Sequence, residues 1–159
     1  MPPGGPAGKG REMFEKFGEM GSHRELDELA KNLWREGDRE SLTVLCKENG
    51  LDYQDIEDAA EDGIELWITP TMAAIGRIRA EEEQAPGDTP KILFEMARVM
   101  AADPKTAPVF MTKGKSVRGV YKHLESIARK NRKGNLGVAC GTDRELTEII
   151  LSCYREATA

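Results

Sequence analysis

Residues 22–34 read SHRELDELAKNLW, and this stretch is the strongest indication of an α-helical fold because it carries both a helix start and a helix period. Ser22 followed by Glu25 is a capping box, in which each side chain accepts a hydrogen bond from a backbone N–H group of the first turn. The apolar residues that follow recur at helical offsets and share one stripe: Leu26, Leu29, Ala30, Leu33 and Trp34. The stretch therefore predicts an amphipathic α-helix.

The first half of the chain repeats these signals. Gly37, Gly50 and Gly63 each follow a short apolar stripe, which predicts a series of short helices that end in left-handed glycines. The residues between them do not match one another, so this is not a true repeat. Thr69-Pro70 predicts another helix start, with Met72, Ile75 and Ile78 inside the helix.

The second half predicts three further helical segments. The helix after Thr89-Pro90 has an apolar stripe of Ile92, Leu93, Met96, Val99 and Met100. The helix after Ser116 has a predicted core stripe of Val117, Val120, Tyr121, Leu124, Ile127 and Ala128. Thr142 and Glu145 form a capping box for the last helix. Only IELWIT (64–69) and LGVA (136–139) are candidate strands, so the predicted fold class is all-α, with about seven short to medium helices.

The domain organisation has two alternatives, because 159 residues can form one modest core or two very small ones. The polar run EEEQAPGDTP (81–90) is the best linker candidate. We predict a disordered tail at 1–10, an N-terminal helical unit at 11–84, a linker at 85–89, and a C-terminal helical unit with a basic helix at 90–159.

The cysteines and histidines do not indicate a disulfide framework, a zinc site or a catalytic pair. Cys46, Cys140 and Cys153 are odd in number and lie far apart, and only His23 and His123 can join them as soft ligands. We expect reduced thiols in a cytoplasmic protein, with no cofactor, no metal and no enzymatic activity. The sequence contains neither an apolar run of membrane-spanning length nor a secretion signal, so no membrane partner is expected.

Residues 113–119 read KGKSVRG, which resembles the end of a phosphate-binding loop. That loop requires GxxxxGK[ST], and the position five before Gly114 is Val109 rather than glycine. The remaining prediction is a helix N-terminus capped by Ser116, whose unpaired N–H groups and dipole favour an anion.

Positive charge concentrates in residues 113–133, which carry +7 although the whole chain carries -5. Several of these residues recur at helical offsets opposite the predicted core stripe of the same helix. They either solvate a helix or form a functional surface for a nucleic-acid backbone or an acidic protein patch. The candidate binding residues are Lys113, Lys115, Ser116, Arg118, Lys122, Arg129, Lys130, Arg132 and Lys133.

Negative charge concentrates in residues 52–83, which contain ten Asp or Glu and two Arg. This segment lacks the ligand spacing of an EF-hand, so a calcium loop is not expected. The acidic residues either solvate a helical surface or imitate a nucleic-acid phosphate array that occupies a positively charged channel in a partner.

Two segments carry a resemblance to a known family. KGKSVRGVYKHLESIARK followed by LGVACGTDRELTEIILSCYRE resembles the PcfK-like proteins of conjugative elements and phages. The segment EKFGEMGSHRELDELAKNLWREGD also looks like the opening of such phage-borne proteins. The resemblance covers about residues 11–50 and 113–155, and the family is similar to a group of type II anti-CRISPR proteins that inhibit Cas9.

The resemblance implies an inhibitor in the cytoplasm of a bacterial host. Such a protein binds a Cas9-type effector or its nucleic acid and blocks target-DNA binding or cleavage, without catalytic residues. Two alternatives remain. One is a DNA-binding accessory protein of a conjugative or phage element that has no CRISPR target, and the other is a helical dimerisation module with incidental charge.

Overall fold

The computed structural model describes residues 13–130 and 143–156, and within these ranges it contains helices and no strand. The seven α-helices are α1 (His23–Arg35), α2 (Arg39–Glu48), α3 (Tyr53–Glu61), α4 (Pro70–Gln84), α5 (Lys91–Ala101), α6 (Val117–Lys130) and α7 (Asp143–Arg155), with a 3₁₀ helix at Ala107–Met111 between α5 and α6. The all-α prediction is confirmed. The candidate strand at 64–69 is wrong, because these residues form a loop; the tail at 1–10, the candidate strand at 136–139 and Thr142 lie outside the described residues.

The helix ends follow the local signals of the sequence. Ser22 Oγ accepts a hydrogen bond from Glu25 N at 3.2 Å, and Glu25 Oε1 accepts one from Gly21 N at 2.7 Å. Left-handed glycines follow α1, α2 and α3, with φ values of 76°, 65° and 70° at Gly37, Gly50 and Gly63. Each glycine lets the chain reverse direction without the steric penalty that a Cβ atom carries in this conformation.

Helix α4 is the central element of the fold, since it is buried on almost every side. Ala73 belongs to an N-terminal core, whereas Ala74 and Ile78 belong to a C-terminal core. The N-terminal core is formed mainly by Leu26, Ala30, Leu33, Leu42, Leu45, Ile56 and Ile68. The C-terminal core is formed mainly by Leu93, Phe94, Ala97, Phe110, Val120, Leu124, Ile150 and Tyr154.

The predicted linker at 85–89 follows this central helix directly. Ala85 packs against the C-terminal core, and Thr89 is buried. Helix α4 contributes side chains to both cores, so the two groups of helices share one element. The division of the chain at 85–89 stays a prediction.

The buried face of α5 differs from the predicted stripe. Leu93, Phe94, Ala97 and Ala101 are buried, whereas Ile92 and Val99 are 52% and 74% exposed. Apolar residues occupy most of the circumference of this helix, so periodicity did not select the face that packs. Ala97 and Ala101 allow α5 to pack closely against the rest of the C-terminal core. This packing leaves Ile92 and Val99 on the side of α5 that faces solvent.

The buried face of α6 is narrower than predicted. Val117, Val120 and Leu124 are buried, but Tyr121 is only partly buried beside the guanidinium of Arg118, whose Cζ lies 5.3 Å from the ring centroid. Tyr121 therefore packs against the core from its edge and is not one of the buried residues. A tyrosine at the edge of a buried stripe can cover the core with its ring while its hydroxyl reaches polar surroundings.

Helix α4 touches the end of α2 through two glycines. A Cβ atom placed on Gly50 would lie 2.1 Å from Gly76 O, and one placed on Gly76 would lie 2.3 Å from Asn49 O. Because both residues are glycine, the backbone of α4 contacts the backbone at the end of α2 directly. This contact brings the helix that spans both cores against the N-terminal group of helices.

Candidate functional site

The loop at 113–119 forms the N-terminus of α6, as the sequence predicts. Gly114 has a φ of 80°, and Ser116 Oγ accepts a hydrogen bond from Gly119 N at 2.9 Å. Ser116 is thus the cap of this helix.

The anion at this helix N-terminus is the protein's own Glu81. Its carboxylate accepts a hydrogen bond from Val117 N at 3.0 Å and another from Arg118 N at 2.8 Å. Glu81 is buried and reaches α6 from the fourth turn of α4. Together with Ser116 it occupies the first three N–H groups of α6, so these donors are not free for an external phosphate.

Burial raises the pKa of Glu81, and the hydrogen bonds from Val117 and Arg118 together with the charge of Arg77 oppose that rise. The folded state therefore holds the Glu81 proton to a higher pH than the unfolded chain does. The stabilisation that protonated Glu81 contributes to the folded state is fully present below the ordinary pKa of 4.5. It is lost as the pH rises through the raised pKa of the folded state.

We expect the free energy of unfolding of the wild type, relative to that of Glu81→Gln, to decrease as the pH rises from about 4 towards neutrality. Glutamine has a similar shape but does not titrate in this range. Urea unfolding at a series of pH values measures the difference directly. A difference that grows with pH would contradict the raised pKa.

A second carboxylate, that of Glu19, binds the loop at 113–119 near its beginning. Glu19 Oε2 accepts a hydrogen bond from Gly114 N at 2.9 Å and pairs with Arg77 Nη1 at 3.0 Å. Arg77 is buried and also donates to the carbonyl oxygen of Met20. The guanidinium therefore joins the segment before α1 to α4, and Glu19 joins both to the loop before α6.

The predicted basic residues fall into different environments. Lys113, Lys122, Arg129 and Lys130 are exposed, whereas Lys115 and Ser116 are partly buried. Lys122 Nζ lies 3.9 Å from Glu125 Oε1, which is a weak, solvated pair. Arg132 and Lys133 lie outside the described residues.

Arg118 is held by contacts inside the protein. Its Nη1 donates to Asp88 Oδ1 and to Thr89 Oγ1, both at 2.7 Å. The hydrogen bond and charge of Arg118 lower the pKa of Asp88. This side chain links α6 to the segment before α5. The exposed cations of α6 lie further along the helix, at Lys122, Arg129 and Lys130. The assignment of Arg118 as a binding residue stays a prediction.

Most of the acidic residues between α2 and α4 are exposed, and we call the exposed ones the α3 acidic surface. Its members are Asp52, Asp55, Asp58, Glu61, Asp62 and Glu65, all of them exposed. Within the described part of the chain, none of them forms an ion pair with Lys or Arg. Unpaired carboxylates of one sign produce a negative potential that extends into solvent.

Two tryptophans lie beside this surface. The rings of Trp34 and Trp67 meet edge to face with centroids 6.1 Å apart. The guanidinium of Arg39 stacks on Trp34 with its Cζ 3.5 Å from the ring centroid, and Lys31 Nζ lies 5.7 Å from the centroid of Trp67. Both rings therefore hold cations of the same chain, as electron-rich aromatic faces do.

The loop that leads to α6 borders a small cavity of about 170 Å³, whose lining includes Lys115, His123, Cys153 and Glu156. Burial and the charge of Glu156 raise the pKa of the Cys153 thiol, and Lys115 only partly opposes them. A thiol with a raised pKa is a poor nucleophile at neutral pH. The cavity therefore does not activate Cys153.

In the described ranges, no group of three or more His, Cys, Asp or Glu side chains is placed to hold a metal ion. Nor does any described helix have the length and apolar character needed to cross a membrane.

The site and the fold together define an all-α protein with segregated surface charge. The chain matches no protein-family model, no curated protein and no solved structure.

Sequence reasoning missed the three residues that organise the junction at α6: Glu19, Arg77 and Glu81. One signal was present, because Arg77 and Glu81 are four residues apart and flank Ile78 and Ala80 on a helix with several apolar neighbours. Charged residues on an apolar helix face indicate buried partners. The pairing of Trp34 with Trp67 had no such signal, since the two residues belong to different elements.

Proposed function

We propose that this protein is a non-enzymatic inhibitor, carried by a phage or another mobile element, that binds a Cas9-type effector and blocks target-DNA binding or cleavage. The observation that carries the proposal is the α3 acidic surface, whose exposed carboxylates have no cationic partner among the described residues. An effector that binds nucleic acid presents a positively charged channel, and a row of carboxylates complements it. The resemblance of the two terminal segments to PcfK-like proteins supplies the identity of the partner.

The exposed basic residues support the same proposal in a second way. Lys122, Arg129 and Lys130 are exposed on α6 beyond its first turn. They are available for a nucleic-acid backbone or for an acidic patch of the effector. Lys115 and Arg118, at the start of α6, are partly buried and would contribute less.

The test is inhibition of DNA cleavage by a panel of purified Cas9 proteins at low salt. We expect wild-type protein to inhibit at least one of them. We expect neutralisation of part of the α3 acidic surface to weaken binding by about tenfold, because charge complementarity accelerates association. The variant is Asp55→Asn with Asp58→Asn and Glu61→Gln.

A matched control changes the net charge equally at other exposed positions. It is Glu83→Gln with Glu95→Gln and Glu148→Gln. We expect its affinity to stay close to that of the wild type. Equal losses in both variants would show that only net charge matters, and a wild-type protein that neither binds nor inhibits any Cas9 would refute the proposal.

The alternative function is direct DNA binding by an accessory protein of a conjugative or phage element. The exposed cations of α6 favour it. DNA binding that weakens with salt and with Lys122→Gln, Arg129→Gln and Lys130→Gln, without any effect on Cas9, would select this alternative. Arg118 is left unchanged in that variant because it holds Asp88 and Thr89.

A further inference from the structure

An apolar group interrupts the charged surface at the end of α3, and we call it the Ile64 patch. It consists of Ile64, Leu66, Trp67 and Trp34. Ile64 is 49% exposed, and the other three side chains are partly buried. Exposed carboxylates lie immediately before and inside this segment, at Glu61, Asp62 and Glu65. An apolar centre with a charged rim is the anatomy of a protein–protein contact.

The loop that carries Ile64, Leu66 and Trp67 is held in place by hydrogen bonds within the protein. The buried carboxylate of Asp27 accepts hydrogen bonds from Trp67 N at 2.8 Å and from Ile68 N at 2.9 Å. Lys31 pairs with Asp27 at 2.9 Å and donates to the carbonyl oxygen of Glu65. Trp67 Nε1 donates to Ile64 O at 2.8 Å. A preorganised loop loses little conformational entropy on binding.

The charge around the patch determines the class of partner. The three carboxylates of the rim form no ion pairs within the described part of the chain. Two cations lie on the tryptophan rings, namely Lys31, which is paired with Asp27, and Arg39. The carboxylates outnumber the one cation without a carboxylate partner, so negative charge is in excess around the patch. Phosphate groups of a nucleic acid or of an anionic membrane would be repelled by it. A second copy of this chain would bring two rims of the same sign together, which is unfavourable. A protein surface with Lys and Arg around an apolar recess has the complementary charge and polarity.

We propose that the Ile64 patch anchors this protein to a partner protein whose contact surface is rich in Lys and Arg around an apolar recess. Ile64 enters the recess, the two tryptophans support it, and the neighbouring carboxylates face the basic rim of the partner. This inference rests on the proposed function, and it names the part of the surface that the inhibitor uses. It also separates two roles: the α3 carboxylates accelerate encounter, and the Ile64 patch slows dissociation.

The test compares the same substitution at two isoleucines of nearly equal exposure. Ile64→Ser removes the proposed anchor, and Ile92→Ser removes an isoleucine that is 52% exposed on α5. Binding kinetics are measured against the Cas9 protein that the wild type inhibits. We expect Ile64→Ser to raise the dissociation rate by about tenfold or more, as truncation of an interface anchor does. We expect Ile92→Ser to bind as the wild type does.

The rim is tested with Glu61→Gln and Glu65→Gln together. We expect a slower association rate at low salt, a nearly unchanged dissociation rate, and an effect that disappears at high salt. Thermal melting of each variant confirms that it is folded. Both isoleucines are at the surface, so neither substitution removes a core side chain.

The outcomes separate the two proposals. If the wild type inhibits Cas9 and Ile64→Ser dissociates as slowly as the wild type, the Ile64 anchor is wrong and the proposed function stands. If Ile64→Ser and Ile92→Ser weaken binding equally, the patch has no special role. If the wild type binds no Cas9 protein, the proposed function and this inference are both lost.

Discussion

Replacing Gly50 with alanine is expected to lower the free energy of unfolding by about 3 kcal/mol or more. Two effects add at this position. Gly50 has a φ of 65°, a conformation that is unfavourable for any residue with a Cβ atom. The added Cβ would also lie 2.1 Å from Gly76 O and 2.8 Å from Gly76 C, which are backbone atoms of the central helix. Urea unfolding followed by circular dichroism measures the loss.

Gly63→Ala is the matched control. Gly63 has a φ of 70° at the end of α3, but an added Cβ would meet nothing within 4 Å. We expect a loss of about 1 kcal/mol from backbone conformation alone. The difference between the two variants isolates the contact between α2 and α4, and equal losses would mean that this contact relaxes easily.

Replacing Glu81 with alanine is expected to lower the free energy of unfolding by about 2–4 kcal/mol. The substitution leaves the N–H groups of Val117 and Arg118 without their acceptor at a buried helix start. It also leaves the buried guanidinium of Arg77 with less compensating charge, because Glu81 is one of the carboxylates that act on it. Urea unfolding and the protection of the first amides of α6 from hydrogen exchange measure this effect.

Two control variants accompany Glu81→Ala. One changes another residue of α4, and the other makes a different substitution at position 81. Glu83→Ala removes an exposed carboxylate of α4, and we expect a change of no more than about 0.5 kcal/mol. Glu81→Gln keeps one carbonyl acceptor, and we expect a smaller loss than for alanine. If Glu83→Ala were as damaging as Glu81→Ala, the helix itself rather than the link to α6 would explain the loss.

Most of the helical architecture could be predicted because its signals are local. Ser22, Thr69 and Ser116 all accept the expected capping hydrogen bonds from backbone N–H groups of the first turn. A cap, an apolar period and a terminal glycine act within one or two helical turns, so they are visible in a short window of sequence. The prediction failed at α5, where apolar residues surround the helix and only packing selects the buried face.

The candidate site could be predicted only in part. The clustering of charge is a property of composition, so both the basic segment and the acidic segment were visible in the sequence. The sequence did not show which of the basic residues are exposed and which form hydrogen bonds with other parts of the protein. Arg118 and Lys122 are both basic residues of α6, yet Arg118 is held by Asp88 and Thr89 whereas Lys122 is exposed. That distinction depends on which other element packs beside each side chain.

Local sequence was enough to predict an all-α chain, the caps at Ser22, Thr69 and Ser116, and the segregation of charge, because these depend on neighbours within a few residues. The group that binds the N-terminus of α6 depends on packing between helices. The sequence predicts an anion there, and packing supplies Glu81 from 36 residues earlier in the chain. Packing likewise placed Trp67 against Trp34 beside the exposed Ile64. Contacts between distant residues arise only when the helices pack, so no local pattern records them.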